Sequence, residues 1–374
     1  MSKWATISLN DVCTPASSNL AQKNLVGLDG EYPIFGASGF IKNVDFYKYD
    51  VPYIAIVKDG AGVGRTMLLP AYSSVIGTMQ YILPKANIDI GYLYYSIENI
   101  DLTRYKTGAT IPHIYFKDYK TEEIPFPPLD IQKRITTTLD KIQAVIAARR
   151  EQIAVLDKLA QDTFVDMFGD TVLNPKEWIS CKLEKYLTFL TSGSRGWAKY
   201  YSEKGEFFIT VKNVKSGRIL RDNVQHVNAP QNKEAQRTKV QEKDLLISIT
   251  ADLGRTAVID AKTAAEGAYI NQHLSLMRLK LDEVVPEFLS AYFESPAGKR
   301  QFAEKDQVGV KSGLNFDALR SMQILLPPYE MQQDYANRVC NIELQKLRLT
   351  GSLTELETVY QSTLQKAFNG ELFQ

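Results

Sequence analysis

The sequence predicts an α+β protein in which a globular α/β module followed by a long helix occurs twice. The segment I-P-F-P-P-L-D-I-Q at residues 124–132 returns as I-L-L-P-P-Y-E-M-Q at residues 324–332, an offset of 200. The same offset relates Phe168 to Phe368, so the register holds across this region without a gap. Solenoid repeats have much shorter periods, of roughly 20 to 50 residues. The chain therefore contains two copies of one large repeat.

Weaker matches precede this block, and their offsets are smaller. Residues 64–66 correspond to residues 254–256, both G-R-T, at an offset of 190, and residues 92–93 correspond to residues 288–289 at an offset of 196. The growing offset indicates that the modules differ in loop length. The helical part keeps a fixed length in both copies.

Apolar residues in each helical part follow a 4,3 spacing, which predicts a coiled coil. The pattern is interrupted at Arg149 in the first copy and at Lys346 in the second. Two ordinary amphipathic helices on a globular core remain an alternative, although such helices average only about 11 residues. The predicted interface residues are Ile135, Leu139, Ile142, Ile146, Ile153 and Leu156 in the first helix, and Tyr335, Val339, Ile342, Leu349, Leu353 and Leu356 in the second.

The ends of the two helices carry matching signals. Proline pairs at 127–128 and 327–328 cannot donate backbone hydrogen bonds, so they end the preceding strand and lead into a helix. Gly169 and the Asn-Gly pair at 369–370 favour the left-handed conformation that terminates a helix. Each helix is then about 40 residues and roughly 60 Å long.

The regions outside the helices predict the globular modules. Short segments that mix β-branched and aromatic residues are typical of strands; they read P-Y-I-A-I-V, V-I-G-T-M-Q-Y-I-L-P, F-F-I-T-V, L-L-I-S-I and H-L-S-L-M-R-L. We expect modules over residues 1–123 and 170–323, and helical spacers over residues 124–169 and 324–374.

Composition excludes several classes of protein. A hydrophobic content of 44% in 374 residues suffices for two cores. No run of 18 apolar residues occurs, and the first residues lack a signal-like apolar stretch, so we expect a soluble cytoplasmic protein. The cysteines show neither zinc-ligand spacing nor a disulfide framework; they are Cys13, Cys181 and Cys340.

Charge is shared unevenly along the chain. Counting Lys and Arg against Asp and Glu gives −1 for residues 1–123, 0 for 124–169, +4 for 170–323 and −2 for 324–374. If nucleic acid binds, we therefore expect it to bind the modules, and the second one more electrostatically than the first.

No motif for covalent chemistry is intact. The stretch D-G-A-G-V-G-R-T at residues 59–66 resembles a phosphate loop but lacks its lysine, and its counterpart in the second copy has lost most glycines, so a turn between two strands is favoured. The L-P-P-Y stretch at residues 326–329 resembles the N-P-P-Y of amino-methyltransferases. Leu326 cannot replace the Asn or Asp that binds the target amine in those enzymes.

The order of module, P-P-L-x-x-Q helix, module and P-P-x-E-x-Q helix resembles the specificity subunit of Type I restriction-modification enzymes. Further similar strings are G-E-Y-P-I-F-G-A-S-G-F-I, T-S-G-S-R-G-W and K-T-G-A-T-I-P-H-I. The resemblance covers nearly the whole chain. One departure is that little sequence precedes Trp4, so the chain is expected to open almost directly on its first module.

The resemblance implies that each module is a target recognition domain reading one half of a split site in double-stranded DNA. The two helices would pack as an antiparallel coiled coil with pseudo-twofold symmetry, fix the unread spacer and dock two methyltransferase subunits. Restriction subunits would join the complex. The chain itself would be non-catalytic and bind no cofactor, while S-adenosylmethionine, ATP and Mg²⁺ would bind the partner subunits.

Candidate DNA contacts are polar side chains in the loops of the modules, since such groups contact base edges and phosphates. In the first module they are Lys58, Arg65, Gln80, Lys106, Thr110 and His113. In the second they are Ser194, Arg195, Trp197, Lys212, Asn213, Arg255, Asn271, Gln272 and Lys311. A structural or solvated role remains open for each of them.

Two functions of other classes remain as alternatives. A coiled-coil adaptor that binds only proteins would explain the helices but not two dissimilar modules with polar loops. An enzyme using the glycine loop at residues 59–66 would be revealed by ATP hydrolysis.

Overall fold

The computed structural model describes residues 4–250, 252–306 and 313–373. The chain divides into two compact units. Unit 1 comprises Met1–Glu151 and Thr350–Gln374, and unit 2 comprises Gln152–Leu349. Each unit therefore contains one globular module together with half of each long helix.

The first module and its helix contain nine strands and four α-helices within the described residues. The strands are β1 Thr6–Ser8, β2 Cys13–Ser17, β3 Tyr32–Gly36, β4 Gly39–Val44, β5 Tyr53–Val57, β6 Thr66–Leu69, β7 Ser74–Val75, β8 Met79–Pro84 and β9 Glu123–Pro125. The α-helices are α1 Leu9–Val12, α2 Ile90–Glu98, α3 Phe116–Tyr119 and α4 Leu129–Phe168. Short 3₁₀ turns cover Gln22–Leu25 and Leu102–Tyr105.

The second module and its helix follow the same order with additional elements. The strands are β10 Ile179–Lys182, β11 Leu187–Ser192, β12 Tyr201–Ser202, β13 Glu206–Ile209, β14 Val214–Lys215, β15 Arg218–Ile219, β16 His226–Val227, β17 Leu245–Ser248, β18 Thr256–Val258, β19 Ala268–Ile270, β20 Leu274–Leu279 and β21 Gln323–Leu326. The α-helices are α5 Lys233–Thr238, α6 Ala261–Glu266, α7 Pro286–Glu294, α8 Pro296–Lys305, α9 Phe316–Arg320 and α10 Tyr329–Asn369. The 3₁₀ turns are Leu183–Tyr186, Trp197–Tyr200 and Val211–Asn213.

Both modules contain the same four-stranded antiparallel sheet. Its strand order is β2-β8-β5-β6 in unit 1 and β11-β20-β17-β18 in unit 2. The registers agree as well: Ile56 pairs with Gln80 in unit 1, and Ile247 pairs with Ser275 in unit 2. The structural repeat thus follows the weak sequence matches as well as the strong block.

The central strand of this sheet has apolar layers on both faces, so β5 and β17 are buried along their whole length. In unit 1, Ile54 and Ile56 face the core that contains α2 and the long helices, whereas Tyr53 and Val57 face a second core shared with the next sheet. A strand buried on both faces needs a continuous apolar run rather than an alternating one.

A second sheet lies beside the first in each module. Its strand order is β4-β3-β7 in unit 1 and β12-β16-β13-β19 in unit 2. Each of these sheets contains one parallel pair, β3 with β7 and β13 with β19. Because parallel strands point the same way, their carboxyl ends lie at one edge of the sheet.

The strand before each long helix pairs with the first strand of the same module. β1 pairs with β9 through Ile7 and Ile124, and β10 pairs with β21 through Cys181 and Ile324. The chain therefore closes each module before the proline pair leads into the helix.

The two long helices have the lengths and ends that the sequence predicts. α4 has 40 residues and α10 has 41. Gly169 and Gly370 directly follow them with φ angles of 79° and 75°, in the left-handed region that suits glycine.

The helices pack antiparallel inside each unit. In unit 1, the Arg134 guanidinium lies 4.3 Å from the Phe373 ring centroid, and Arg150 forms an ion pair with Glu357 at 2.6 Å. A residue later in α4 thus contacts a residue earlier in the C-terminal segment, as an antiparallel arrangement requires. In unit 2 the same order holds, because Asp157 contacts Lys346 whereas Phe164, further along α4, contacts Tyr335.

All twelve predicted interface residues lie at buried or half-buried positions. The buried ones are Ile135, Leu139, Ile146, Tyr335 and Ile342. The half-buried ones are Ile142, Ile153, Leu156, Val339, Leu349, Leu353 and Leu356. Several of them also pack on a module: the first four residues of the α4 set, with Leu353 and Leu356, belong to the core of unit 1, and Tyr335 and Val339 to that of unit 2.

The carboxyl end of each helix is fixed by an aromatic residue of the repeat. Phe168 lies in unit 2, 4.8 Å from Phe288 of α7. Phe368 lies in unit 1, 5.5 Å from Tyr92 of α2. Since Tyr92 and Phe288 occupy corresponding positions, the two helix ends make the same contact in the two units.

The spacing from the proline pair to the glutamine is the same in both copies, and this has a physical reason. Gln132 and Gln332 are 1% and 0% exposed. Their side-chain oxygens accept hydrogen bonds from the N–H groups of Asp89 (2.8 Å) and Val285 (2.9 Å), the residues directly before α2 and α7. Both amide nitrogens donate to the carbonyl of the first proline of the preceding pair, at 2.9 Å. Each buried amide is thus bonded at both ends.

We expect Gln332→Met to lower the free energy of unfolding of unit 2 by about 2–4 kcal/mol, because it leaves a buried N–H and a buried carbonyl without partners. Urea denaturation followed by circular dichroism measures the change. The neighbouring Gln333 is exposed, so Gln333→Met should change stability by less than about 0.5 kcal/mol. Equal effects of the two substitutions would contradict this role of Gln332.

Candidate nucleic-acid interface

In each unit, loops leave the carboxyl ends of the two parallel strands at one edge of the second sheet. In unit 1 the N–H of Ile76, after β7, donates to the carbonyl of Phe35 in β3 at 3.0 Å. In unit 2 the N–H of Asn271, after β19, donates to the carbonyl of Ile209 at the end of β13, also at 3.0 Å. The unit 1 edge is formed by residues 36–38, 58–65, 76–80 and 106–113, and the unit 2 edge by residues 192–196, 210–213, 248–250, 252–255 and 271–273.

Backbone hydrogen bonds hold the loop after β5 in the unit 1 edge. The N–H of Lys58 donates to the carbonyl of Thr78, and the N–H of Ile114 donates to the carbonyl of Lys58, both at 2.9 Å. The N–H of Gly60 donates to the carbonyl of Pro112 at 2.8 Å. Hydrogen bonds therefore hold the loop on both sides, so the backbone from which its side chains extend is fixed in position.

The glycine-rich segment of this loop is a turn between antiparallel strands, as the sequence indicates. Val57 and Arg65 pair across it, with the N–H of Val57 donating to the carbonyl of Arg65 at 2.9 Å. Gly64 has a φ of 91°, and its counterpart Gly254 has a φ of 81° in the same turn of unit 2. A phosphate loop would instead lead from a strand into a helix. The Arg65 guanidinium donates to the carbonyl of Ala37 at 2.8 Å.

Residues 106–113 form a hairpin in the unit 1 edge. Thr107 and His113 exchange two backbone hydrogen bonds, at 3.0 and 2.9 Å. Gly108 has a φ of 87°, and a Cβ there would lie 2.5 Å from the carbonyl oxygen of Ile111, so the turn requires glycine. Residues 106–111 are all exposed. Lys106 and Thr110 therefore face solvent.

The structure brings the six predicted residues of the first module together at the unit 1 edge. Lys58, Gln80 and His113 are half-buried. Gln80 accepts a hydrogen bond from the Tyr119 hydroxyl at 3.2 Å, and the imidazole of His113 lies 3.3 Å from the carbonyl oxygen of Ile111.

In unit 2, a close crossing of two backbones forms the edge. A Cβ on Gly193 would lie 2.0 Å from the carbonyl oxygen of Asn271, so only glycine permits this approach. Ser194 and Asn271 form an isolated parallel bridge at the crossing. The first glycine of the stretch T-S-G-S-R-G-W, Gly193, therefore has a structural role.

Three predicted contacts of the second module are buried and hold the edge together. The Ser194 hydroxyl lies 3.0 Å from that of Thr238, and Trp197 stacks on Phe208 with a centroid distance of 5.5 Å. The Asn213 amide bonds the backbone of its own turn and of the following loop. Because these residues are at most 3% exposed, their side chains are not accessible to a base edge.

The other predicted residues of the second module differ in exposure. Arg195 and Lys212 are exposed, and neither has a hydrogen bond or ion pair within the described part of the chain. Asn271 and Gln272 are half-buried. The Arg255 side chain is 39% exposed and pairs with Asp252. Lys311 lies outside the described residues.

Sequence reasoning missed two polar contributors to the unit 2 edge. The Arg237 guanidinium donates to the carbonyl of Ser192 at 2.9 Å, and the Thr250 hydroxyl lies 2.6 Å from Nδ1 of His273. Arg237 lies in the short helix α5, where its spacing resembles that of an ordinary surface residue. No signal in the sequence identifies its long-range partner.

The described residues contain neither a metal-binding cluster nor a membrane-spanning helix. These residues hold no group of three or more His, Cys, Asp or Glu side chains placed to bind a metal ion. Among the helices that the structure describes, none combines the length and apolarity needed to cross a membrane.

Comparison with known proteins identifies the family. The model of the Type I restriction modification DNA specificity domain matches residues 1–158 and 184–357. The chain belongs to this family.

Relatives within the family are distant in sequence. The EcoBI specificity subunit of Escherichia coli is 22% identical over 71% of this chain and 62% of its own length. The MjaVIII specificity subunit of Methanocaldococcus jannaschii is 23% identical over 78% of this chain and 72% of its own length. The chain thus spans about three fifths of the length of the former.

Solved structures share the fold of this family member. The S subunit of a Type I restriction-modification system from M. genitalium superposes with a TM-score of 0.67 at 15% identity, covering 98% of this chain and 96% of that one. A chain from a solved structure that concerns complex assembly of the Type I R-M system superposes with a TM-score of 0.56 at 17% identity, covering 99% of this chain and 98% of that one. The α+β fold with two modules and two long helices is therefore that of specificity subunits.

Proposed function

We propose that this chain reads a bipartite duplex DNA target for a Type I restriction-modification complex, with one half-site for each unit. The observation that carries the proposal is the duplicated edge: two modules with the same first sheet and the same parallel pair in the second sheet present polar loops at the same place, but with different side chains. A protein that reads two different half-sites needs one scaffold and two sets of readers.

The exposed and half-buried groups of each edge have the chemistry that DNA contacts need. Lysine and arginine neutralise phosphates or donate to guanine, asparagine and glutamine pair with adenine, and hydroxyls contact either. In unit 1 these groups are Lys58, Arg65, Gln80, Lys106, Thr110 and His113. In unit 2 they are Arg195, Lys212, Arg255, Asn271 and Gln272, with Lys311 as a further candidate from the sequence.

Arg195 and Lys212 should position the duplex through its phosphates, because each is an exposed cation without a protein partner among the described residues. Arg195→Gln combined with Lys212→Gln should reduce the slope of log K against log salt by about 2, one for each lost phosphate contact. Fluorescence anisotropy with a duplex at several salt concentrations measures the slope.

Lys185→Gln is the matched control for this pair. Lys185 is exposed and precedes β11, whereas Arg195 follows it, so the two residues lie at opposite ends of one strand. The control should keep the slope of the unaltered chain. A slope that falls by about 1 in the control, which loses one cation where the test variant loses two, would show that the effect is one of overall charge.

The long helices are the proposed docking surface for two methyltransferase subunits. In unit 2, Val155 and Leu159 share one face of α4, and Leu344 and Leu347 share one face of α10. All four are exposed, from 47% at Leu159 to 71% at Leu347. The contact between Asp157 and Lys346 lies between these pairs, so they are at the same level of the helix pair. Exposed apolar residues at this level suit a protein partner.

Leu344→Gln combined with Leu347→Gln should weaken binding of the methyltransferase subunit by about tenfold or more, since each buried leucine side chain contributes roughly 1.5–3 kcal/mol. Isothermal titration calorimetry with the purified subunit measures the affinity. Leu173→Gln, at a leucine that is 77% exposed outside the helices, serves as control and should bind normally. Unchanged affinity in the double variant would place the dock elsewhere.

The fixed helix length has a function in this proposal. Half-sites must keep a defined phase along the duplex, so a change in helix length would shift one reader relative to the other half-site. Catalysis belongs to partner subunits, with S-adenosylmethionine on the methyltransferase and ATP with Mg²⁺ on the restriction subunit.

Reconstitution with a methyltransferase subunit tests the function as a whole. The chain alone should neither methylate DNA nor hydrolyse ATP, and the assembled complex should methylate a split site. Replacing residues 1–123 with the first module of another family member should change one half of the site and preserve the other half and the spacer. Methylome sequencing reads the result. A change in both halves together would contradict independent readers, and methylation that does not require this chain would contradict the proposed function.

A further inference from the structure

We infer that Asp59 determines specificity in the unit 1 edge by selecting a base that carries an exocyclic amino group, cytosine N4 or adenine N6. This inference rests on the proposed function. It concerns a residue type that phosphate binding cannot explain.

The backbone of Asp59 is fixed in the middle of the unit 1 edge. Its N–H donates to the carbonyl of Thr78 at 3.2 Å. It also forms an isolated antiparallel bridge with His113 of the hairpin. The residue therefore lies between the loop after β7 and the hairpin, with Lys58 on one side and Gly60 on the other.

The carboxylate of Asp59 is available to a ligand. Its side chain is 36% exposed, and within the described residues no hydrogen-bond donor reaches it. Its ion pair with the ammonium of Lys58 is long, at 3.8 Å. Asp101 and Glu122, elsewhere in unit 1, have hydrogen-bond donors within the chain: the Asp101 carboxylate accepts from the N–H and hydroxyl of Thr103, and Glu122 accepts from Arg104 and Tyr105. Ionised carboxylates only accept hydrogen bonds, so a ligand that binds Asp59 must present a donor.

Phosphate cannot be that ligand, because two like charges about 4 Å apart repel even in water. Base edges offer the matching chemistry. In the major groove, cytosine N4 and adenine N6 are the amino donors, and acidic side chains accept from cytosine N4. A carboxylate in an edge that otherwise carries lysine, arginine and histidine thus discriminates between bases rather than adding affinity for the backbone.

The internal repeat supports this assignment. In unit 2, the N–H of Ile249 donates to the carbonyl of His273 at 2.9 Å. In unit 1, the N–H of Lys58 donates in the same way to the carbonyl of Thr78. Thr250 forms an isolated antiparallel bridge with Gly313, which corresponds to the bridge between Asp59 and His113. One backbone position therefore carries aspartate in unit 1 and threonine in unit 2. The two edges share geometry here and differ in chemistry, as two readers of different half-sites require.

Binding and methylation by the complex of this chain with its methyltransferase, on a duplex library with the unit 1 half-site randomised, test the inference. Asp59→Ala should lower the preference for cytosine or adenine at one position of that half-site by roughly 5- to 100-fold. Asp59→Asn should shift the preference at that position towards adenine, because an amide pairs with adenine N6 and N7. The unit 2 half-site should not change.

Asp50→Asn provides a control with the same change in charge. Asp50 is exposed and follows Tyr49, which bridges Ser73 before β7, so it lies at the end of the sheet opposite the unit 1 edge. Preferences of both Asp59 variants within twofold of the unaltered complex at every position would overturn the inference while leaving the proposed function intact. Absence of sequence preference in the unaltered complex would instead overturn the proposed function.

Discussion

A buried glutamine amide joins each long helix to its module, and the remaining architecture depends on this link. Apolar packing alone lets a helix slide or rotate, whereas hydrogen bonds have direction. Gln132 and Gln332 bond the residue before a short helix of the module on one side and a proline carbonyl on the other. The start of each helix is therefore fixed in position and rotation relative to the sheets of its unit.

Each helix serves both units, and this explains which part of the repeat can vary. α4 begins in the core of unit 1 and ends at Phe168 in that of unit 2, while α10 begins in unit 2 and ends at Phe368 in unit 1. An inserted residue would rotate the far half of the helix by about 100° and move its apolar residues away from their core. Loops inside a module have no such constraint, so the offset between the copies varies there and is constant along the helices.

At the unit 2 edge, some residues are buried and hold the loops in place, whereas others are exposed to solvent. In unit 2, Gly193 permits the crossing of two backbones, and Asn213 and Trp197 fix the loops through buried contacts. Arg195 and Lys212 then project from this rigid base. A backbone that is already ordered loses less conformational entropy when a ligand binds, so under the proposed function the buried residues would support recognition without touching the DNA.

The sequence by itself determined the duplication, the long helices with their ends, and the central strands, because these depend on local periodicity and on backbone preferences of proline and glycine. It also proposed six candidate residues of the first module, whereas their position at one edge, with Gln80 in β8 and the others in loops, is a result of the tertiary structure. Only the tertiary structure decided which polar residues remain accessible. The sequence predicts Trp197 and Asn213 as DNA contacts, yet Trp197 is buried against Phe208, and the Asn213 amide is buried and bonded to the backbone carbonyls of Leu220 and Asp222. Asp59 has an unremarkable sequence context, and its place in the unit 1 edge follows from a backbone bridge with His113, more than fifty positions along the chain. Burial and hydrogen bonding depend on how loops and strands pack in three dimensions, and the periodicity of the sequence does not encode those contacts.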